Sequence, residues 1–209
     1  MPIRRLNYKE KIEAMSESAK TEAVDGRRAR SERSKQAIID ASLTLMEEGV
    51  LIPTAQQISD RAGVVIRSFF RHFEDMETLF ATIDDQTRDA NEAPFVGGDR
   101  DGTLQERILH AVERRADGYD VETNTILSTS AQLWRSEILR KNYARYQRGL
   151  RKDLDNWLPE LKELTRGQRE GVDAIASFEM WYRLRYHQKL SKSAAIDVVV
   201  NLLNAVVSN

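Results

Sequence analysis

Residues Thr54 to Phe73 read TAQQISDRAGVVIRSFFRHF. This stretch has the pattern of a helix, a tight turn and a second helix. Thr54 followed three residues later by Gln57 has capping-box spacing, in which a hydroxyl and an amide satisfy free N–H groups at a helix start. Pro53 lies just outside, where it interrupts no hydrogen-bond ladder. Ile58 and Ala62 are four apart and share a helix face. Gly63 is the residue type best able to take positive φ and close the helix, and Val64 is placed to plug the corner. Phe69 and Phe73, again four apart, let a second short helix close over the first. Arg67, Ser68, Arg71 and His72 fall on its other face. Two helices joined by a glycine turn, the second presenting cations and hydroxyls, form a DNA-reading helix-turn-helix.

In that plan the reading helix touches base edges through its early residues while flanking groups hold phosphates. The early residues are Val65, Ile66, Arg67 and Ser68. Arg67 is the best direct reader, because its fork can take guanine O6 and N7 together. Ser68, Arg71 and His72 are candidates for phosphate oxygens. Phe69 and Phe73 are assigned to the core; Ile66 and Phe70 are open between core and apolar contact with DNA.

The motif Ala62-Gly63-Val64, then Ser68-Phe69-Phe70-Arg71-His72-Phe73, then an acidic residue and a fresh helix, resembles the TetR family of bacterial transcriptional regulators. The resemblance is tight over about residues 33 to 80 and covers only a helical plan beyond. It implies a phosphate contact for Thr54 and a base contact for Gln56. It also brings the start of the preceding helix, at Ser34 and Lys35, to the DNA backbone. Two positions depart from the family. Phe70 stands where a tyrosine is usual, and Met76 stands where a lysine is frequent, so one hydroxyl and one cation are missing.

Composition agrees with an all-α chain. Glycine and proline are few, and Ala, Leu, Glu, Arg and Gln are plentiful. The net charge of −1 hides a polarity: eight basic side chains stand against five acidic ones between Arg27 and Phe73. A basic patch on a near-neutral chain fits an anionic partner at one end. Residues 1–30 read as a mobile extension ending in a basic cluster, Arg27, Arg28 and Arg30, which could reach a DNA minor groove. Residues 31–75 make the three-helix head, its first helix running from Ser34 to Glu48. Residues 76–209 make a helical effector-binding and dimerisation domain.

Within that domain the periodicity predicts helices over about 75–90, 103–119, 124–134, 138–158, 165–187 and from Ser191 onward. The last is apolar around much of its circumference. Together with the helix before it, it is the expected dimer surface, through Val172, Ile175, Val198, Val199, Leu202, Leu203 and Val206. Dimerisation follows because one head covers too few base pairs to find a site in a genome. The resemblance further implies a cavity for a small effector. Candidate lining residues are Tyr119, Trp134, Tyr143, Phe178, Trp181 and Tyr182, with Trp157 a further aromatic in the same helices.

With no cysteine, a disulfide scaffold, a thiolate metal site and a cysteine nucleophile are excluded. His72, His110 and His187 form no metal-ligand pair, and no catalytic or nucleotide-binding glycine motif is present. The chain is therefore expected to be no enzyme and to use no cofactor or metal. With no signal-like or bilayer-length apolar run, it is expected in the cytoplasm. The expected partners are a double-stranded operator, a small-molecule effector and a second copy. The competing reading is a helical ligand-binding or interaction protein whose helix-turn-helix is not used; Phe70 and Met76 are the features that keep it open.

Overall fold

A computed structural model describes the backbone of residues 8–95 and 97–208, and the side chains of residues 26–93, 95 and 97–208. The expectation for residues 1–30 thus lies partly outside the described residues. Those described form helices only: α1 (Tyr8–Glu47), α2 (Ala55–Arg61), α3 (Ile66–His72), α4 (Met76–Glu92), α5 (Leu104–Gln132), α6 (Glu137–Trp157), α7 (Arg166–Ile175), α8 (Phe178–Tyr182) and α9 (Lys192–Val207). Short 3-10 turns occupy Ala93–Phe95 and Pro159–Glu163, and a π turn over Arg183–His187 prolongs α8. Among the described residues no helix is long and apolar enough to cross a membrane.

The chain divides into two compact units, residues 1–48 with 53–76, and residues 49–52 with 77–209. In the first unit, α1, α2 and α3 pack on one another around Ile38, Ile58, Phe69 and Phe73, all at most 1% exposed. In the second, α5 packs on α6, α8 and α9, and α7 on α9. Its core joins Tyr119, Trp157, Val172, Phe178, Trp181 and Leu203.

Local chemistry fixes the helix starts. Thr54, Thr103 and Thr165 each cap a helix, and the side chain three residues on (Gln57, Glu106, Gln168) returns a bond to the threonine N–H. Gly63, at φ +66°, ends α2 in the left-handed region, where a side chain would be strained.

Three expected boundaries are corrected. Helix α1 does not start at Ser34; it is one helix from Tyr8, because no proline interrupts the run and the residues around Ser34 are helix formers. The helices expected over 103–119 and 124–134 are one, α5, since Asp120 to Thr123 contains no breaker. Conversely, the helix expected over 165–187 is broken: α7 stops at Ile175, and Ser177 caps α8 by accepting from the Met180 N–H at 3.2 Å.

The residues expected at a dimer surface are buried to different degrees within their own unit. Val172, Val199 and Leu203 are at most 5% exposed and fill the core of their own unit. Ile175, Val198 and Val206 are half-buried, and Leu202 is exposed. On α9 the periodicity splits the apolar residues between an inner and an outer stripe, which a count of apolar residues does not separate.

Candidate nucleic-acid interface

Helix α3 carries the side chains expected to meet DNA. Val65 precedes it in extended conformation, with no side-chain cap, and the Ser68 N–H donates to the Val65 carbonyl at 2.7 Å. The turn is closed by the Gly63 and Val64 N–H groups, which donate to the carbonyls of Asp60 and Ser59. Core and exposed residues then alternate as a helix on a flat support requires. Phe69 and Phe73 turn inward with ring centroids 5.8 Å apart. Val65, Arg67, Phe70 and Arg71 are exposed. Ile66 and Ser68 are half-buried between the two faces. Phe70 is 56% exposed while its neighbour Phe69 is fully covered, so the position left open between core and surface falls on the surface.

Arg67 makes no hydrogen bond or ion pair among the described residues, so its guanidinium is available to a partner. Arg71 reaches back to the Ser68 hydroxyl at 3.3 Å, joining two expected phosphate groups. Arg61, by contrast, is tied by two bonds to Glu48 at 2.7 and 2.8 Å. The rest of the predicted set is distributed around this face. Gln56 is exposed, its amide donating to Asp60 at 2.7 Å, while the Thr54 hydroxyl is used in its own cap. Ser34 and Lys35 are half-buried on α1, and the Lys35 ammonium lies 6.0 Å from the Phe73 ring centre. Arg27, Arg28 and Arg30 are exposed on the helical backbone of α1, not on an extended arm.

His72 differs from its neighbours. It is half-buried and its Nε2 is covered, without a partner among the described residues, so that nitrogen is not offered to a phosphate. Burial, then Arg71, lower its pKa from the ordinary 6.5; Glu32 opposes and Lys35 adds to the shift. A histidine with a lowered folded pKa contributes stability that is fully present above pH 6.5 and is lost as pH falls through the folded value. The melting temperature of the chain is therefore expected to fall as pH drops below 6.5, and His72→Asn is expected to flatten that fall. A variant with the wild-type pH profile in this range would contradict the assignment. The Glu48 carboxylate is held below its ordinary value by its bond to Arg61; burial raises that of Asp84, but Arg145 and Arg88 outweigh it and leave the net shift downward.

Of the residues expected to line an effector cavity, Tyr119, Phe178, Trp181, Tyr182 and Tyr143 belong to or pack against one apolar cluster of the second unit. In the second unit Tyr119 and Trp181 line a small pocket with Val112, Ala116, Ile175 and Val199. Phe178 packs edge-on against Tyr119 at 5.6 Å. Tyr143 is half-buried; its hydroxyl donates to Glu179 at 3.1 Å, and burial pushes its pKa up to about 12. Tyr182 is half-buried and stacks on Tyr186 with centroids 4.6 Å apart. Trp134 is 77% exposed and is not part of the lining of that pocket. It sits just beyond the end of α5, where periodicity no longer dictates a buried face.

One residue of this pocket was missed. Arg115 is 6% exposed and belongs to the lining. The signal was available: Ile108, Val112, Arg115 and Tyr119 fall at helical spacing, so an arginine stands in an apolar stripe.

No protein-family model matches the chain, and no curated protein does. Solved structures do. A transcriptional regulator from Rhodococcus aligns with a TM-score of 0.62 at 14% identity, over 85% of this chain and 96% of its own. A protein assigned as a transcriptional regulator from Streptomyces coelicolor gives 0.55 at 20% identity, over 82% and 98%. One assigned to the TetR family from a Rhodococcus species gives 0.55 at 18%, over 83% and 98%. At such identities the likeness is one of architecture, and it coincides with the helix-turn-helix geometry of α2 and α3: the chain has a TetR-like fold.

Proposed function

We propose that the chain is a sequence-specific DNA-binding transcriptional regulator. In this reading it is a homodimer that occupies a palindromic operator as a repressor and leaves it when a small molecule binds the second unit. The observation that carries the reading is the outer face of α3, where Arg67, Phe70 and Arg71 are exposed together while Phe69 and Phe73 anchor the helix. Arg67 reads a guanine, Phe70 meets a thymine methyl or a sugar, and Arg71 with Ser68 holds a phosphate. Arg27, Arg28 and Arg30, displayed on a helix, add phosphate contacts along its length and not a groove-inserted arm. On α9, exposed Leu202 flanked by half-buried Val198 and Val206, which also touch the core, supports pairing with a second copy. An effector moves the heads off the half-sites only by its differential affinity for two states of the dimer, typically about 1–3 kcal/mol of coupling.

Selection of bound random DNA tests the proposal, followed by band shifts on the selected site. Arg67→Ala is expected to weaken specific binding by about 1–3 kcal/mol, roughly 5- to 150-fold, and to relax base choice at one position per half-site. Wild-type affinity is expected to fall steeply with added salt. No selected site, or a flat salt profile, would favour a ligand-binding or interaction protein that does not use its helix-turn-helix. An unchanged footprint for Arg67→Ala would remove the base-reading role from that residue.

A further inference from the structure

Arg115 lies in the core of the second unit. Its Nη1 donates to the Ala176 carbonyl at 3.1 Å and its Nη2 to the Leu150 carbonyl; its Nε is covered and has no partner among the described residues. No carboxylate pairs with it among the described residues. A buried guanidinium answered only by carbonyl dipoles retains an uncompensated positive charge, which favours an anion. Two phenols stand in its field. The Tyr119 hydroxyl also donates to the Ala176 carbonyl, at 3.0 Å. The Tyr146 hydroxyl is covered and has no hydrogen-bond partner among the described residues; Tyr119, the Glu122 carboxylate and Arg115 all act on it electrostatically, Glu122 opposing Arg115.

The carbonyl that Arg115 and Tyr119 share comes from the joint in the chain. Ala176 follows the last residue of α7, its backbone leaving helical geometry at φ −85°, ψ 7°, and Ser177 starts α8. Beside this joint the pocket has apolar walls, Val112, Ala116, Ile175, Trp181 and Val199, and room for about one water molecule.

We propose that this cluster receives the carboxylate of a small apolar monoacid, which displaces the Ala176 carbonyl from Arg115 and Tyr119. The proposal rests on the reading that the second unit takes an effector and names its chemical class. A carboxylate is a stronger acceptor than a peptide carbonyl and fits the guanidinium fork with two oxygens. One cation balances one negative charge; a dianion such as a phosphate monoester would bury a second charge without a partner. The walls suit a hydrocarbon or aryl body. Entry requires the joint to open beyond its present volume, so binding and movement at Ala176 are one event. Because α7 packs on α9, that movement would act on the outer stripe of α9.

The test uses the purified full chain with benzoate, phenylacetate and hexanoate, each beside its neutral amide. Thermal unfolding and tryptophan fluorescence are read at millimolar ligand. At least one acid is expected to raise the melting temperature by several degrees while its amide does not. Arg115→Lys keeps the charge and loses the fork; it is expected to weaken the response at least tenfold. Ala116→Leu fills the pocket with Arg115 in place and is expected to abolish it. Unfolding curves of both variants, without ligand, show whether they are folded. No response to any acid, equal response to acid and amide, or a wild-type response from a folded Arg115→Lys would overturn the proposal. Band shifts on the same preparations separate the two readings. Acid binding without DNA binding removes the regulator and leaves the site; DNA binding with no acid response removes the site and leaves the regulator.

Discussion

Phe69→Ala is expected to unfold the helix-turn-helix unit while every exposed DNA-facing side chain remains in the sequence. Phe69 has no exposed surface, and its ring packs against Phe70 at 5.2 Å and Phe73 at 5.8 Å. Emptying such a site costs about 3–5 kcal/mol. A core of fewer than about 80 residues seldom supplies more than about 3–5 kcal/mol in total, so the loss is comparable to the whole stability of this unit. The reporters separate cleanly. All three tryptophans, Trp134, Trp157 and Trp181, lie in the second unit. Far-ultraviolet circular dichroism should therefore lose helix while tryptophan fluorescence stays native, and the band shift should disappear. Phe70→Ala is the control. With its ring 56% exposed, it is expected to change stability by at most about 0.5 kcal/mol, so any loss of DNA binding would report contact and not folding. If the two variants unfold alike, the inward and outward assignment of these adjacent rings is wrong.

Trp157→Ala is expected to be as severe in the second unit. The indole is 2% exposed, with the Arg100 guanidinium 5.2 Å from its ring centre. Gly98, at φ +97°, passes so close that a Cβ there would come within 2.8 Å of the ring. Truncation would leave a cavity of indole size and cost about 3–5 kcal/mol. Yet the Trp157 Nε1 is covered and has no acceptor among the described residues, and a buried unsatisfied donor itself costs about 1–3 kcal/mol. Trp157→Phe removes that donor and keeps most of the ring, so the two effects oppose. Its net change is expected to stay within about 1.5 kcal/mol. Urea unfolding measures both variants. A phenylalanine variant as unstable as the alanine one would mean that the indole N–H is not a burden.

The contrast between Phe69 and Phe70 shows what sequence carries. Both are phenylalanine, and only helical register separates them. Register follows from the four-residue spacing of Phe69 and Phe73, so the core of the head was legible, and with it the face that holds Arg67 and Arg71. Caps were legible for the same reason: Thr54 with Gln57 and Thr165 with Gln168 act within one helical turn. The break at Ala176 was not, because its cause lies far away in sequence. The carbonyl released there is taken by Arg115 and Tyr119, some sixty residues earlier. The inner and outer stripes of α9 were merged because valine and leucine occupy both, and only the partners of Val199 and Leu203 distinguish them. Exposure of Trp134 was illegible because a tryptophan beyond the last turn of a helix has no periodicity to place it.

The three reciprocal threonine caps also bear on time. Each joins residues three apart, so each can form and break as fast as a helical turn does, on the order of a microsecond or less. Helices α2, α5 and α7 therefore have their first residues marked before any distant side chain arrives. Contacts such as that between Arg115 and Ala176 must wait for chain closure. On refolding, the chain would first settle where its helices begin and only afterwards where one of them must be interrupted.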